Sequence, residues 1–339
     1  MKVAILQLDV QPAPTSERLE RAGCLVEGAA RSGAQLILLP ELFNTGYAYT
    51  PENFQRAETI GGLTVTWMKA SASRLGIHLG GTLLLREDNE IYNAFLLVAP
   101  DGRTWRYNKT YPWAYERAYF RGGKGPTIAE TALGRMGMLV CWDAAHPELW
   151  RGYAGKVDLV LLANCPPRID AAEYRLPDGR SFTNAELGPV MRSLRGTVQR
   201  VFAQGVTEQA AWLGVPVISS TACGTFHSSL PNAGGILPWM LPFAPWVRRY
   251  LPVADQIEMT CPVYPAGQVL NAAGRHLVTL SPDQGEAFSL AEVELAGQPP
   301  EPQGRQPGKP VPWITYALAD GLIPAMCRRI YQAYGSSHG

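Results

Sequence analysis

The chain has 339 residues, 30 basic against 29 acidic for a formal net charge of +1, with 46% hydrophobic and 17% charged side chains. Such a length buries a large core, as one big α/β unit or two smaller ones. The near-neutral balance speaks against a nucleic-acid binder, and the apolar content against disorder. Six scattered cysteines (Cys24, Cys141, Cys165, Cys223, Cys261, Cys327) include no C-x-x-C pair, and the five histidines are dispersed. Neither a disulfide framework nor a structural metal is therefore expected. The opening MKVAILQLDV is too short an apolar run for a secretory signal, so the expectation is a reduced, cytoplasmic protein.

In chain order, the nearly continuous apolar runs at 2–8 and 35–39 predict strands buried on both faces. Between them Leu19, Ala22, Val26 and Ala29 recur at helical spacing, with Thr15 or Ser16 as N-cap and Gly33 as terminator. A helix over 63–75 leads through Gly76 into a strand near 77–85. Segments 91–98 and 104–107 flank the turn Pro100–Gly102 as a hairpin. Strands follow at 135–140, 157–163 and 215–220, then a long helical stretch over 184–213. Closing strands are expected near 257–263, 268–271, 276–280 and 287–294. Parallel units mixed with hairpins imply a layered α/β protein with mixed sheets.

Three strand-end motifs carry residues suited to chemistry. Glu41 follows Pro40 in LLPELFNTGY, Lys109 stands in YNKTYPWAYERAYF with Glu116 further on, and Cys141 ends the apolar strand of MGMLVCWDAAHPELW. Each alone reads more simply as a surface carboxylate, a solvated lysine or a small core residue. All three, however, fall at carboxyl ends of strands, where α/β sheets place ligand sites.

Together these motifs resemble the nitrilase, or carbon–nitrogen hydrolase, superfamily in order and local setting. The resemblance covers roughly residues 1–296 and is weakest between Cys165 and Gly205. It implies a four-layer α-β-β-α sandwich, a Glu41–Lys109–Cys141 triad, a second glutamate at Glu116, and pairing through helical faces into homodimers or larger homo-oligomers. Asp143 stands where true nitrilases of the family carry glutamate, which tilts the reading to an amidase or carbamoyl-amidase over a nitrilase or an amide-forming acyl transferase.

Simple chemistry gives each residue a task. A free thiol has a pKa of about 8.5, so a neutral nucleophile needs a base. Glu41 takes that role and later protonates the leaving amine. Lys109 and the backbone N–H of Trp142 face the oxyanion, and Glu116 holds Lys109 or the substrate nitrogen. The product of attack is a thioester that water hydrolyses, with no metal or organic cofactor. Tyr47, Trp113, Tyr115, His146 and Asn164 are candidate substrate contacts, though core packing is the commoner fate of such aromatics.

Three segments have no assigned role. The connection after Asn164-Cys165 is long and charged; it could cover the pocket, and Arg168, Arg175 and Arg180 could bind a substrate carboxylate or simply be solvated. From Gln209 to Val247 there is no charged residue, and four prolines at 231, 238, 242 and 245 forbid a spanning helix. A Pro-rich linker after Gly297 leads to a possible amphipathic helix at 313–334, dividing the chain into a 1–296 domain and a 297–339 tail. The aromatic-rich 236–247 stretch needs a cover: a second subunit, the tail, or a membrane surface, with membrane contact ranked last.

Overall fold

The apolar run at the N-terminus forms β1 (Lys2–Asp9), and the chain continues through β2 (Leu36–Leu38), β3 (His78–Glu87), β4 (Glu90–Val98) and β5 (Thr104–Asn108). Then come β6 (Ile128–Thr131), β7 (Gly134–Val140), β8 (Leu159–Asn164), β9 (Glu173–Arg175) and β10 (Ser181–Thr183). The last six are β11 (Val217–Cys223), β12 (Thr225–Ser229), β13 (Glu258–Pro262), β14 (Gln268–Leu270), β15 (His276–Thr279) and β16 (Ala287–Glu292). The computed structural model describes residues 1–192 and 194–338.

β1 decides the architecture. One edge pairs in parallel with β2 through Val3–Ile5. The other edge is shared, with Lys2–Gln7 antiparallel to β16 and Gln7–Asp9 parallel to Thr221–Cys223 of β11. β11 divides likewise, giving Val217–Ser219 to β14. Two sheets therefore fork from one short splice. The first runs β5-β4-β3-β2-β1-β16 and the second β6-β7-β8-β11-β14-β15.

Alternation along β1 then sets the layers. Ala4, Leu6 and Leu8 pack on Leu19, Ala22 and Val26 of helix Thr15–Arg31 and on Val65 and Met68 of helix Leu63–Leu75. Val3 and Ile5 join the cluster that holds Met136, Met138 and Leu161 of the facing sheet. Leu149 and Trp150 of helix Pro147–Tyr153, with Val206 and Ala210 of helix Val206–Leu213, close the far side. The result is the expected α-β-β-α sandwich with mixed sheets. Because β2, β5, β7 and β8 all point the same way, their carboxyl ends share one end of the sandwich.

Three departures have local causes. Helix Thr15–Arg31 starts after Pro14 with no side-chain cap, so neither Thr15 nor Ser16 serves as N-cap. The helical stretch over 184–213 is broken where Gly188 and Gly196 take φ of +100° and +68°, a left-handed backbone that no helix continues through. The charged connection after β8 contributes β9 and β10 to a separate four-stranded antiparallel sheet, ordered β10-β9-β13-β12, above the carboxyl ends.

The C-terminal segment lies on its own chain. Gln303 N donates to Trp212 O, Trp142 Nε1 to Asp320 at 2.9 Å, Tyr316 Oη to Ala145 O, Asn232 Nδ2 to Met326 O, and Ile91 N to Tyr331 Oη. Among the described residues no helix is long and apolar enough to cross a membrane.

Candidate active site

Three of the six non-glycine residues with positive φ among the described residues lie at the site. Cys141 has φ of +48°, Leu42 beside Glu41 also +48°, and Ala114 two residues before Glu116 has +38°. Such values are costly for residues with a Cβ and gather where function over-determines the chain. At Cys141 the strain has a clear origin: β7 ends at Val140 and a 3₁₀ turn, Cys141–Ala145, begins at once. That sharp strand-to-helix turn lifts the thiol out of the sheet, as a nucleophile requires.

Glu41 sits on a loop pinned at its own N–H and at Leu39 and Leu42. Leu39 O accepts from Ser220 Oγ at 2.7 Å, Glu41 N donates to Asn164 O at 3.3 Å, and Leu42 N donates to Thr82 Oγ1 at 2.9 Å. Gly81 makes room for it, since a Cβ there would stand 2.8 Å from the Leu39 Cβ. Lys109 follows β5, its N–H donating to Asn93 O at 2.9 Å.

The side chains converge on the Lys109 ammonium, which is fully buried. Its Nζ lies 2.8 Å from Glu41 Oε1 and 2.9 and 2.8 Å from the two oxygens of Glu116. Glu116 also accepts from Tyr47 Oη and, at 2.7 Å, from the Trp113 N–H. Its acceptor sites are thus occupied, so it holds Lys109 and Tyr47 in place and has little left for a substrate. Glu41 Oε1 is likewise taken, by Lys109 and by Asn93 Nδ2 at 2.8 Å. Glu41 Oε2 is the exception. It is buried without a regular hydrogen bond, and the Cys141 thiol approaches this carboxyl as a hydrogen-bonding neighbour.

Protonation follows from this arrangement. Burial raises the Glu41 carboxyl to about 7, against the opposing pull of Lys109. Burial would lower Lys109, but Glu116 and Glu41 outweigh it and hold the ammonium above its ordinary value. Burial and then the Glu41 charge push the Cys141 thiol well up, while Lys109 and the Cys165 backbone N–H act the other way. The thiol is therefore neutral, beside a carboxyl poised near neutral pH.

The remaining sequence candidates divide. Tyr47, Trp113 and Tyr115 line the cavity over Cys141, together with Tyr49. Asn164 does not: its Nδ2 donates to Ser219 Oγ, Ser220 O and Leu162 O, tying β8 to β11. Nor does His146, which stacks on Tyr111 with ring centroids 3.5 Å apart and meets Trp142 and Tyr316 edge-on. Burial lowers it to about 4, so it is a neutral packing group at pH 7. Asp143 accepts from Tyr107 Oη and the Tyr111 and Val140 N–H groups and braces the turn from below. Sequence reading missed Asn93, a polar residue in an apolar strand, and the Cys165 N–H, which no side-chain pattern reveals.

The roof of the cavity comes from all three unassigned segments. Pro166, Ile169, Tyr174, Phe182 and Leu187 follow β8; Leu230, Leu237, Trp239 and Met240 belong to the uncharged stretch; Thr315, Leu318, Ala319, Leu322 and Met326 come from the tail. Arg168, Arg175 and Arg180 lie outside it, Arg180 paired with Asp178.

The family model described as carbon-nitrogen hydrolase matches residues 2–230. A nitrilase from Pyrococcus abyssi is 30% identical over 160 residues, 46% of this chain and 61% of that protein. An omega-amidase from Xenopus tropicalis is 30% identical over 168 residues, 46% of this chain and 59% of that protein. The chain thus spans about three fifths of the curated relatives it matches. Among solved structures, an amidase from Nesterenkonia superposes with a TM-score of 0.61 at 19% identity, over 87% of this chain and 93% of that one. A carbon–nitrogen hydrolase superfamily protein from Xanthomonas campestris gives 0.61 at 18%, over 86% and 90%.

Proposed function

The chain belongs to the carbon–nitrogen hydrolase family, and we propose that it is a cofactor-free thiol amidohydrolase that cleaves a non-peptide amide or N-carbamoyl bond through a thioester on Cys141. The observation that carries this reading is the Glu41 Oε2 atom, a buried carboxylate oxygen without a regular partner beside a neutral thiol. Buried polar atoms are almost always paired, so one left open beside a nucleophile points to a proton acceptor.

In the first step Cys141 Sγ attacks the amide carbon while its proton passes to Glu41 Oε2. The oxyanion is met by the Trp142 N–H and the Lys109 charge, which Glu116 and Glu41 hold in place. Collapse breaks the C–N bond, and Glu41 returns the proton to the leaving nitrogen. Water then attacks the thioester, again losing a proton to Glu41, and frees the acid and the thiol. The acrylamide adduct on the active-site cysteine of the Nesterenkonia amidase supports a cysteine nucleophile in this fold. Omega-amidases among the relatives support the amide branch.

A nitrilase reading has one specific support, the relatives so named from Pyrococcus abyssi and Bradyrhizobium diazoefficiens. Ammonia release across amides, ureas and nitriles separates the two. The proposal expects acid and ammonia from a primary amide, or carbon dioxide, ammonia and amine from an N-carbamoyl compound. Conversion of nitriles alone would replace it with the nitrilase reading.

A further inference from the structure

The cavity over Cys141 is lined mostly by apolar side chains. Tyr47 and Glu116 stand toward the thiol, Tyr49, Trp113 and Tyr115 join them in the lining, and most of the remaining wall is built of apolar side chains from the three roof segments. Its exceptions are the Thr197 and Thr315 hydroxyls and Asp170, whose carboxylate accepts from the Gly196 N–H. Among the described residues no lysine or arginine lines it. The exposed Trp239 and Leu322, 59% and 38% accessible, sit at its rim. The cavity is partly open to solvent and offers about 150 Å³, comparable to an apolar cavity that takes a benzene-sized guest.

Resting on the amidohydrolase reading, we infer that the substrate carries an uncharged, apolar acyl group of about the bulk of a benzene ring or a six-carbon chain, seated against this roof. Two features fix the orientation. Glu41 and Lys109 lie behind Cys141 and off the cavity wall, so the nitrogen that Glu41 protonates faces the closed polar end. The acyl substituent on the other side of the carbonyl then has only the apolar wall to meet. A substrate carboxylate would be buried there with no lysine or arginine on the wall to meet it, which is unfavourable. The acyl preference of a carboxylated omega-amide substrate is thereby excluded from this roof.

The test compares kcat/KM for acetamide, butyramide, hexanamide, phenylacetamide and succinamate with the full-length protein. Each added methylene buried against the wall is expected to raise the value about threefold, roughly a hundredfold from acetamide to hexanamide, with phenylacetamide as good and succinamate poorest. Leu318→Arg, a half-buried tail position on the wall, is expected to flatten that climb and bring succinamate above hexanamide. Leu322→Arg at the rim serves if the first variant fails to fold. A second readout does not need turnover: hexanoic alcohol, but not succinate, should slow alkylation of Cys141 by iodoacetamide. Turnover that is flat with chain length, or highest for succinamate, overturns the inference and leaves the amidohydrolase reading intact. Protection by the alcohol without any amide cleavage keeps the apolar subsite and removes the amidohydrolase reading. Equal protection by alcohol and succinate overturns the subsite.

Discussion

The catalytic end and the roof of one cavity are built on opposite principles. At the catalytic end four ionisable groups, Glu41, Lys109, Glu116 and Cys141, are held at strand ends, buried, and joined by short contacts around one ammonium. The roof is mostly apolar surface drawn from three separate stretches, 166–198, 230–240 and 315–326. The first is rigid because an unpaired buried charge costs far more than any rearrangement gains. The second tolerates change in shape and sets what fits. Chemistry and selectivity are thus separable, and substitutions should separate them.

The largest effect belongs to the catalytic end. Cys141→Ala should lower turnover by at least about ten thousandfold, since nothing replaces the nucleophile, with an unchanged far-ultraviolet spectrum. Lys109→Met should lower kcat by at least about a hundredfold. It also leaves Glu41 and Glu116 buried without their cation, so unfolding should become easier by about 3–5 kcal/mol in denaturant titration. A change confined to KM would make Lys109 a substrate-binding group instead.

The pH profile sharpens the comparison next. Glu41 acts as a base only when ionised, and burial lifts its carboxyl to about 7. Then kcat/KM should fall as pH drops through about 7, and Glu41→Gln should remove most activity together with that acid limb. A limb near 4.5 would mean an ordinary exposed carboxylate.

Truncation after Gly297 breaks the roof instead. It removes Thr315–Met326 from the cavity and uncovers Trp142 and Ala145, so light scattering should report aggregated or smaller assemblies, with the preference for large acyl groups lost. A monodisperse species of unchanged assembly size and unchanged preference would show that the tail covers nothing. Assembly into dimers or larger oligomers through helical faces stands as a proposal that the same measurement on the full chain addresses.

The smallest effect concerns His146. Its folded value near 4 lies below the unfolded 6.5, so between these the unfolded chain binds a proton the folded one refuses. Stability should therefore decline as pH falls from about 6.5 to 4. His146→Gln should soften that decline in melting experiments at pH 7 and pH 5, with little effect on rate.

The catalytic end was legible because its residues sit in compact local motifs at strand ends, and apolar runs such as 2–8 or 63–75 announce buried elements directly. The strand and helix at those positions match within one residue. The roof was not legible, because its parts come from three separate stretches, 166–198, 230–240 and 315–326, that share no motif. Its only trace was compositional: a long stretch without charge, and a tail with one apolar side. The three-residue strands β9 and β10 escaped for a similar reason, since alternation over three residues in a charged loop is no signal. Asn164 misled because a strand-end amide serves equally well to bind a ligand or to clamp a neighbouring strand, and only the position of Ser219 and Ser220 decides.

The most direct test of the Cys141–Glu41 chemistry is intact-mass and peptide-mass spectrometry on protein acid-quenched during hexanamide turnover. The expected result is a single acyl adduct on the peptide carrying Cys141, absent from Cys141→Ala and strongly reduced in Glu41→Gln. Sustained turnover with no adduct in any quench, or an adduct on Cys165 in its place, would contradict it.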